Sequence, residues 1–223
     1  MTTKELYFTV DEIEQQADEL FLHEIEQNKS KGSTFQPSHS ALLVLDMQLY
    51  FLEASSHAYI PSARAIIKGI VHLIEAYFNL GRPIVFTQHI NNAEDAGMMA
   101  LWWKDLITHQ NPMSGIIPEI DSSKGIVIHK SQYDAFYRTQ LEGLLRSMEV
   151  TQLVLCGVMT HLCCETTARS AFMRGFEVYF PLDGTATYRL DYHRASLLNL
   201  AHGIASIVRV KDILEAMRDM HED

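Results

Sequence analysis

The chain has 223 residues, 47% of them hydrophobic, which is enough for one well-buried core. Its 28 acidic against 18 basic side chains give a formal charge of −10, which repels phosphate backbones and anionic membrane surfaces and argues against nucleic acid as a partner. No stretch approaches the ~18 apolar residues of a membrane span, and the start, Met1-Thr-Thr-Lys-Glu-Leu-Tyr7, lacks a basic region followed by an apolar one, so a soluble, unexported chain without membrane contact is expected.

Residues 10–28 place Ile13, Ala17, Leu20, Phe21 and Ile25 near the helical period, which predicts an amphipathic helix packed on the domain or on a neighbouring subunit. Residues 28–37 read as a linker, so 1–37 is set apart from a main domain over 38–223. Residues 41–46 are a continuous apolar run, the pattern of a strand covered on both faces. The span 61–80 repeats Ile66, Ile70, Ile74 and Phe78, with Pro61 suited to a first helical turn and Gly81 to the exit. A second strand follows at 83–87. Residues 91–123 are weakly periodic but hold Met98, Met99, Leu101, Trp102 and Trp103, so they form either an excursion over the sheet or part of a substrate wall. A third strand at 125–129, a helix at 139–148 and a fourth strand at 153–157 come next. A cysteine-led helix then runs to Gly175, and 177–182, 191–202, 206–210 and 211–220 read as strand, helix, strand and helix. Repeated βαβ units imply a parallel sheet with helices on both faces and right-handed crossovers.

The most informative stretch is Gly157-Val-Met-Thr-His-Leu-Cys-Cys-Glu165, where a strand becomes a helix. The first N–H groups of a helix lack intrahelical partners and can lower a thiol's pKa or hold an oxyanion, so Cys163 is the leading nucleophile. Cys156 fits strand core, and Cys164, one step round the helix, fits a structural role. Three cysteines within nine positions make a poor disulfide framework, and a reducing, cytoplasmic setting suits them. Glu165 and Arg169, one turn apart, are spaced to pair with each other.

The Gly-x-x-Thr-x-x-Cys turn resembles the signature of the isochorismatase-like cysteine hydrolases. Ala41-Leu-Leu-Val-Leu-Asp-Met-Gln48 is similar to that family's first strand, and Gly125-Ile-Val-Ile-His-Lys130 with Tyr133-Asp-Ala-Phe136 to its strand ending in a lysine. Three motifs in the family's order, over roughly residues 40–210, are far more specific than any one of them. The resemblance implies a three-layer α/β/α fold with a six-stranded parallel sheet of order 3-2-1-4-5-6. It implies Asp46, Lys130 and Cys163 as catalytic residues, and a non-proline cis peptide at Val158-Met159 that turns the Met159 N–H toward an oxyanion beside that of Cys163. Substrate contacts are expected from Gln48, Phe51, His161, Trp102 and Phe136, although a satisfied turn histidine remains an equal reading of His161 and core or dimer contact precedes pocket wall for Trp102. A small-molecule substrate and a homo-oligomer, dimer or tetramer, are expected.

In an open α/β sheet, ligands bind beyond the carboxyl ends of the strands where strand order reverses, and all three catalytic candidates fall at such ends. Asp46 would take the thiol proton, Lys130 would support the negative charge, and a thioester would form with loss of ammonia or an amine. Two other readings compete: vinyl-ether hydrolysis of the isochorismatase type with Asp46 as acid, and a catalytically idle binding domain. The stretches 133–139 and 166–174 look closest to the isochorismatase branch. Isochorismate-cleaving members, however, carry glycine where Cys163 stands, which puts C–N hydrolysis ahead. Nicotinamidases of the superfamily carry an Asp-x-His metal pair. Thr87-Gln-His-Ile-Asn91 lacks it and His57 lacks the spacing, so no metal, no cofactor and no nicotinamidase activity are expected.

Overall fold

The computed structural model describes residues 3–25, 34–103 and 105–219. The predicted helix over 10–28 is shorter than its periodicity: α1 spans Ile13–Leu20 and widens into a π-type turn at Phe21–Ile25. Residues 26–28 of that prediction, most of the predicted linker and Met220 lie outside the described residues. The strands are β1 (Ser40–Leu45), β2 (Ile84–His89), β3 (Ile126–Lys130), β4 (Gln152–Val158), β5 (Glu177–Pro181), β6 (Thr185–Ala186) and β7 (Ala205–Val208). The remaining helices are α2 (Leu49–Leu52), α3 (Ala63–Asn79), α4 (Met99–Trp102), α5 (Leu141–Ser147), α6 (Glu165–Met173), α7 (Leu190–Gly203) and α8 (Val210–Asp219).

All ladders are parallel, and the order is β3-β2-β1-β4-β5-β7. This is the predicted 3-2-1-4-5-6, with β7 as the sixth predicted strand. The added β6 pairs Thr185 and Ala186 with Gly157 and Val158 beyond the end of β5. Both β1 and β4 are buried along their whole length, as continuous apolar runs require. Helix α3 packs on β1, β2 and β4 and against α8, while α6 packs on β5 and against α7. The segment before β1 shares this core, because Phe8, Ala17, Leu20, Phe21 and Ile25 are buried in it.

Order reverses between β1 and β4, where Leu45 sits opposite Gly157. Gly157 has φ +116°, and a Cβ there would lie 2.0 Å from the Leu45 carbonyl oxygen, so only glycine lets the strands close at this point. Strand β1 stops because Asp46 turns left-handed, with φ 51°, and its carbonyl accepts the Gln48 N–H at 2.7 Å. Segment 91–123 is an excursion that returns along the exit of β1. The N–H groups of Leu49, Tyr50 and Ile117 bond the carbonyls of Gly115, Met113 and Met47 at 2.8–2.9 Å.

Candidate active site

Asp46, Lys130 and Cys163 meet at the switch point, and the Asp46 and Lys130 side chains are fully buried. Lys130 arrives from β3 in register with His89 of β2, and its stem crosses that strand to reach the crevice. The ammonium lies 2.8 Å from Asp46 Oδ2, donates to Cys163 Sγ at 3.3 Å and to the Gln132 carbonyl at 3.0 Å, and faces His89 Nδ1 at 3.4 Å. Asp46 Oδ1 accepts the Thr87 hydroxyl at 2.6 Å. Oδ2 takes no well-aligned hydrogen bond beyond its ion-pair contact, which leaves it as the carboxylate oxygen with room for another proton.

Burial opposes charge on Asp46 and is the largest single influence, but Lys130, His89 and the neighbouring Cys163 thiol together outweigh it, so the carboxyl titrates below its ordinary range. On Lys130, burial is likewise overcome by Asp46 and Cys163, and its pKa is raised. Cys163 behaves differently from the sequence expectation. Its thiol is pushed up to about 12, by burial first and the Asp46 charge second, against the pull of Lys130. Cys163 occupies a wide π-type turn, Thr160–Cys164, and the Leu162 and Cys164 N–H groups are spent on the Met159 carbonyl at 3.1 and 3.2 Å. The resting thiol is therefore protonated and needs a base. The Val158-Met159 peptide is cis.

The thiol lies at a cavity holding about 570 Å³ of empty space, open solvent at its mouth included. Tyr50, Phe51, Trp103, Tyr133, Met159 and Tyr188 make most of its apolar wall, with His89 and Asn91 as a polar corner. Of the five expected substrate contacts, Phe51 alone lines this cavity. Gln48 is instead a buried brace, donating to the His89 and Ser114 carbonyls and accepting the His89 N–H. Phe136 is core, stacked on Phe176 at 5.9 Å. His161 bonds Thr187 Oγ1 at 2.7 Å and stacks on Tyr192, the satisfied-turn reading. Trp102 is 74% exposed outside the cavity, while its neighbour Trp103 faces in and donates to the Tyr133 hydroxyl at 2.7 Å. Cys156 and Cys164 are buried in the core, and Arg169 pairs with Glu165 at 2.8 Å.

Sequence reasoning missed His89. Burial and then Lys130 bring its pKa down to about 4, so it is neutral near pH 7. Asn91 Oδ1, oriented by its amide's bond to the Ser131 carbonyl, accepts from His89 Nε2 at 2.8 Å, which places the ring proton there and leaves the Nδ1 lone pair toward Lys130. The available signal was position, since His89 ends a strand on the same edge as Lys130. Among the described residues, Asp46, His89 and Cys163 form one cluster whose ligand atoms all lie within 4.8 Å of one another, a donor set suited to a metal. The Lys130 ammonium already stands within hydrogen-bond or ion-pair distance of all three, so the place of a cation is filled from within the chain.

Comparison with known proteins agrees with this geometry. The family model "Isochorismatase domain" matches residues 40–212. Nicotinamidase 3 of Arabidopsis thaliana is 37% identical over 174 residues, covering 76% of this chain and 84% of that protein. Enterobactin synthase component B of Escherichia coli (strain K12) is 30% identical over 200 residues, covering 87% and 68%. In fold, the chain resembles a cysteine hydrolase from Pseudomonas syringae pv. phaseolicola 1448A, with a TM-score of 0.81 at 23% identity over 86% of this chain and 98% of the other. With the switch-point fold, the three motifs and the match over most of its length, the chain belongs to the isochorismatase family of hydrolases.

Proposed function

We propose that the chain is a cysteine amidohydrolase that cleaves the C–N bond of a small, uncharged amide through a thioester on Cys163. The observation that carries this reading is a buried thiol touching an aspartate–lysine ion pair beside a mainly apolar cavity. Asp46 takes the thiol proton and the sulfur attacks the carbonyl carbon. The N–H groups of Met159 and Cys163 receive the oxyanion, and Lys130 offsets the negative charge that passes from carboxylate to sulfur. Asp46 then gives its proton to the departing nitrogen, and ammonia or an amine leaves. Water, deprotonated by Asp46, attacks the thioester, releasing the acid and restoring the thiol.

Vinyl-ether hydrolysis is the second reading, supported by the family name and by the resemblance of residues 133–139. Two observations weigh against it. A carboxyl held below its ordinary range has few protons to donate near pH 7, and the described cavity wall offers no arginine or lysine for the two carboxylates of isochorismate. An idle binding domain would have no use for the buried triad. Nicotinamide, set aside on the missing metal pair, returns as a candidate because a nicotinamidase is the relative at 37% identity.

Among the described residues, no helix is long and apolar enough to cross a membrane. We place the enzyme in the cytoplasm, where a nucleophilic thiol stays reduced, and as a homo-oligomer, a reading that exposed Leu101 and Trp102 beside the cavity support. The division into a helix-and-linker segment over 1–37 and a hydrolase domain over 38–223 is one of chain order, since Phe8, Ala17, Leu20, Phe21 and Ile25 pack into the same core as the sheet.

Intact mass after brief exposure to nicotinamide, other small amides and isochorismate tests the chemistry, in wild type and in Cys163→Ala. Amide turnover or an acyl adduct that disappears in the variant is expected. Isochorismate turnover that survives in Cys163→Ala overturns the covalent mechanism.

A further inference from the structure

The family match begins at residue 40, yet the segment before it holds two stretches that line the active-site cavity. Four consecutive residues, 187–190, are held by three side chains of that segment. The Thr187 N–H donates to the Tyr7 hydroxyl at 2.8 Å, and the Glu5 N–H donates to the Tyr188 carbonyl at 2.8 Å. The Glu5 carboxylate accepts the Leu190 N–H at 3.0 Å and lies 3.6 Å from Arg189, while Lys4 Nζ sits 4.5 Å from the Tyr188 ring centre.

The same short segment also grips residues 57–62. Ser62 Oγ accepts the N–H groups of Tyr7 and Phe8 at 2.8 and 3.2 Å, and Lys4 Nζ donates to the His57 carbonyl at 2.5 Å. Both gripped stretches supply cavity wall, Tyr188 from one and Ala58 from the other, and the Tyr188 hydroxyl closes the gap by donating to the Ala58 carbonyl at 3.3 Å. The segment thus ties two walls that are about 130 residues apart in sequence. Its anchors are sound ones: Phe8 is 1% exposed in the core, and backbone hydrogen bonds sheltered from water hold their geometry well.

We propose that residues 4–8 are a positioning and specificity-determining element of the active site, a staple that fixes the distance between the Tyr188 and Ala58 walls and so sets the bulk of substrate that reaches Cys163. The staple lies outside the span of the family model and acts on the cavity wall, leaving the Asp46, Lys130 and Cys163 cluster untouched.

The proposal rests on Cys163 being the reactive group at the cavity, and its test reads that cavity whether or not any amide is turned over. The rates of Cys163 alkylation by iodoacetamide and by the bulkier N-ethylmaleimide are measured by peptide mass in wild type, Glu5→Ala, Glu5→Gln, Tyr7→Phe and Lys4→Met. Glu5→Ala, Tyr7→Phe and Lys4→Met are expected to raise the maleimide-to-iodoacetamide rate ratio by about fivefold, the equivalent of one lost hydrogen bond. Glu5→Gln, which keeps an acceptor for the Leu190 N–H, is expected to stay near wild type. A role in stability alone lowers the melting midpoint and leaves the ratio unchanged. That result overturns the proposal, as does an unchanged ratio with an unchanged midpoint. If Glu5→Ala or Tyr7→Phe fails to fold, Lys4→Met decides, because its side chain is partly exposed and carries no core packing.

Discussion

Replacing Lys130 with methionine strips the Asp46 carboxylate of an ammonium 2.8 Å away at a site where neither side chain meets solvent. At an effective dielectric of about 20, the attraction across that distance is about 6 kcal/mol, most of which offsets the desolvation of the two charges. Removing one partner leaves the other charged and buried, so Lys130→Met is expected to lose about 3–5 kcal/mol of stability, with Asp46→Asn in the same range. The double variant Asp46→Asn/Lys130→Met removes both charges and is expected to lose about 2 kcal/mol or less, so the singles together overshoot it by several. Urea unfolding at fixed protein concentration, followed by circular dichroism, measures all four proteins. The pH dependence adds a sign. In wild type, Asp46 has a depressed pKa, so its contribution is present above the unfolded carboxyl's value of about 3.9 and is lost as pH falls below it. In Lys130→Met, burial alone raises the Asp46 pKa, so this group's contribution reverses and grows as pH falls toward about 5, offsetting the loss that wild type shows over the same range. Additive single losses, or a Lys130→Met protein that loses as much stability between about pH 7.5 and about pH 5 as wild type does, would refute the reasoning.

Two buried neutral histidines should make the fold acid-labile. His89 titrates near 4 and His193 near 3, both lowered by burial, so the unfolded chain binds more protons below its histidine value of about 6.5. Stability is then lost as pH falls from about 6.5 toward 4, by up to about 3 kcal/mol for His89 and more for His193. His193→Gln, which keeps a partner for the Thr160 hydroxyl, is expected to flatten that slope, and an unaltered slope in chemical denaturation would contradict it. Gly157→Ala sets a methyl group 2.0 Å from the Leu45 oxygen at a φ of +116°. A loss of more than about 3 kcal/mol is expected, with little soluble protein recovered. An alanine variant that melts near wild type would show that the β1–β4 approach is looser than described.

The sheet was legible because its central strands are buried on both faces, and runs such as Ala41 to Leu45 leave no polar side to mistake for anything else. The three candidate catalytic residues were legible because each ends or follows a strand, buried on both faces for Asp46 and Cys163 and at the sheet's edge for Lys130. The cavity wall was not, for a geometric reason. Much of it is made by residues whose direction no local pattern specifies: Trp102 and Trp103 are adjacent, yet the first ends a four-residue helix and faces solvent while the second, in extended backbone just after it, faces in. Phe136 and Phe51 are equally apolar and both pack in the core, and only packing decides that Phe51 also lines the cavity. The thiol's acidity was misjudged because helix polarity was weighed without burial, and burial is the larger influence on Cys163. Strand β6, two residues long, is too short to leave a periodic trace.

Lys130 is carried by β3, which pairs with β2 alone and forms one margin of the sheet. A margin unzips more easily than a middle, because fewer backbone bonds hold it and water reaches them. Fraying of β3 would withdraw the ammonium and strip the thiol of its electrostatic support even with the rest of the molecule intact. On the proposed mechanism, the competent fraction would follow the closure of one outer strand, and activity measured on heating would fall ahead of the melting transition. Ile126 and Val127 are more than a third exposed on that strand. A contact that covered them would latch the margin shut and be felt at the sulfur beyond the third strand inward, with no change in the cavity's shape.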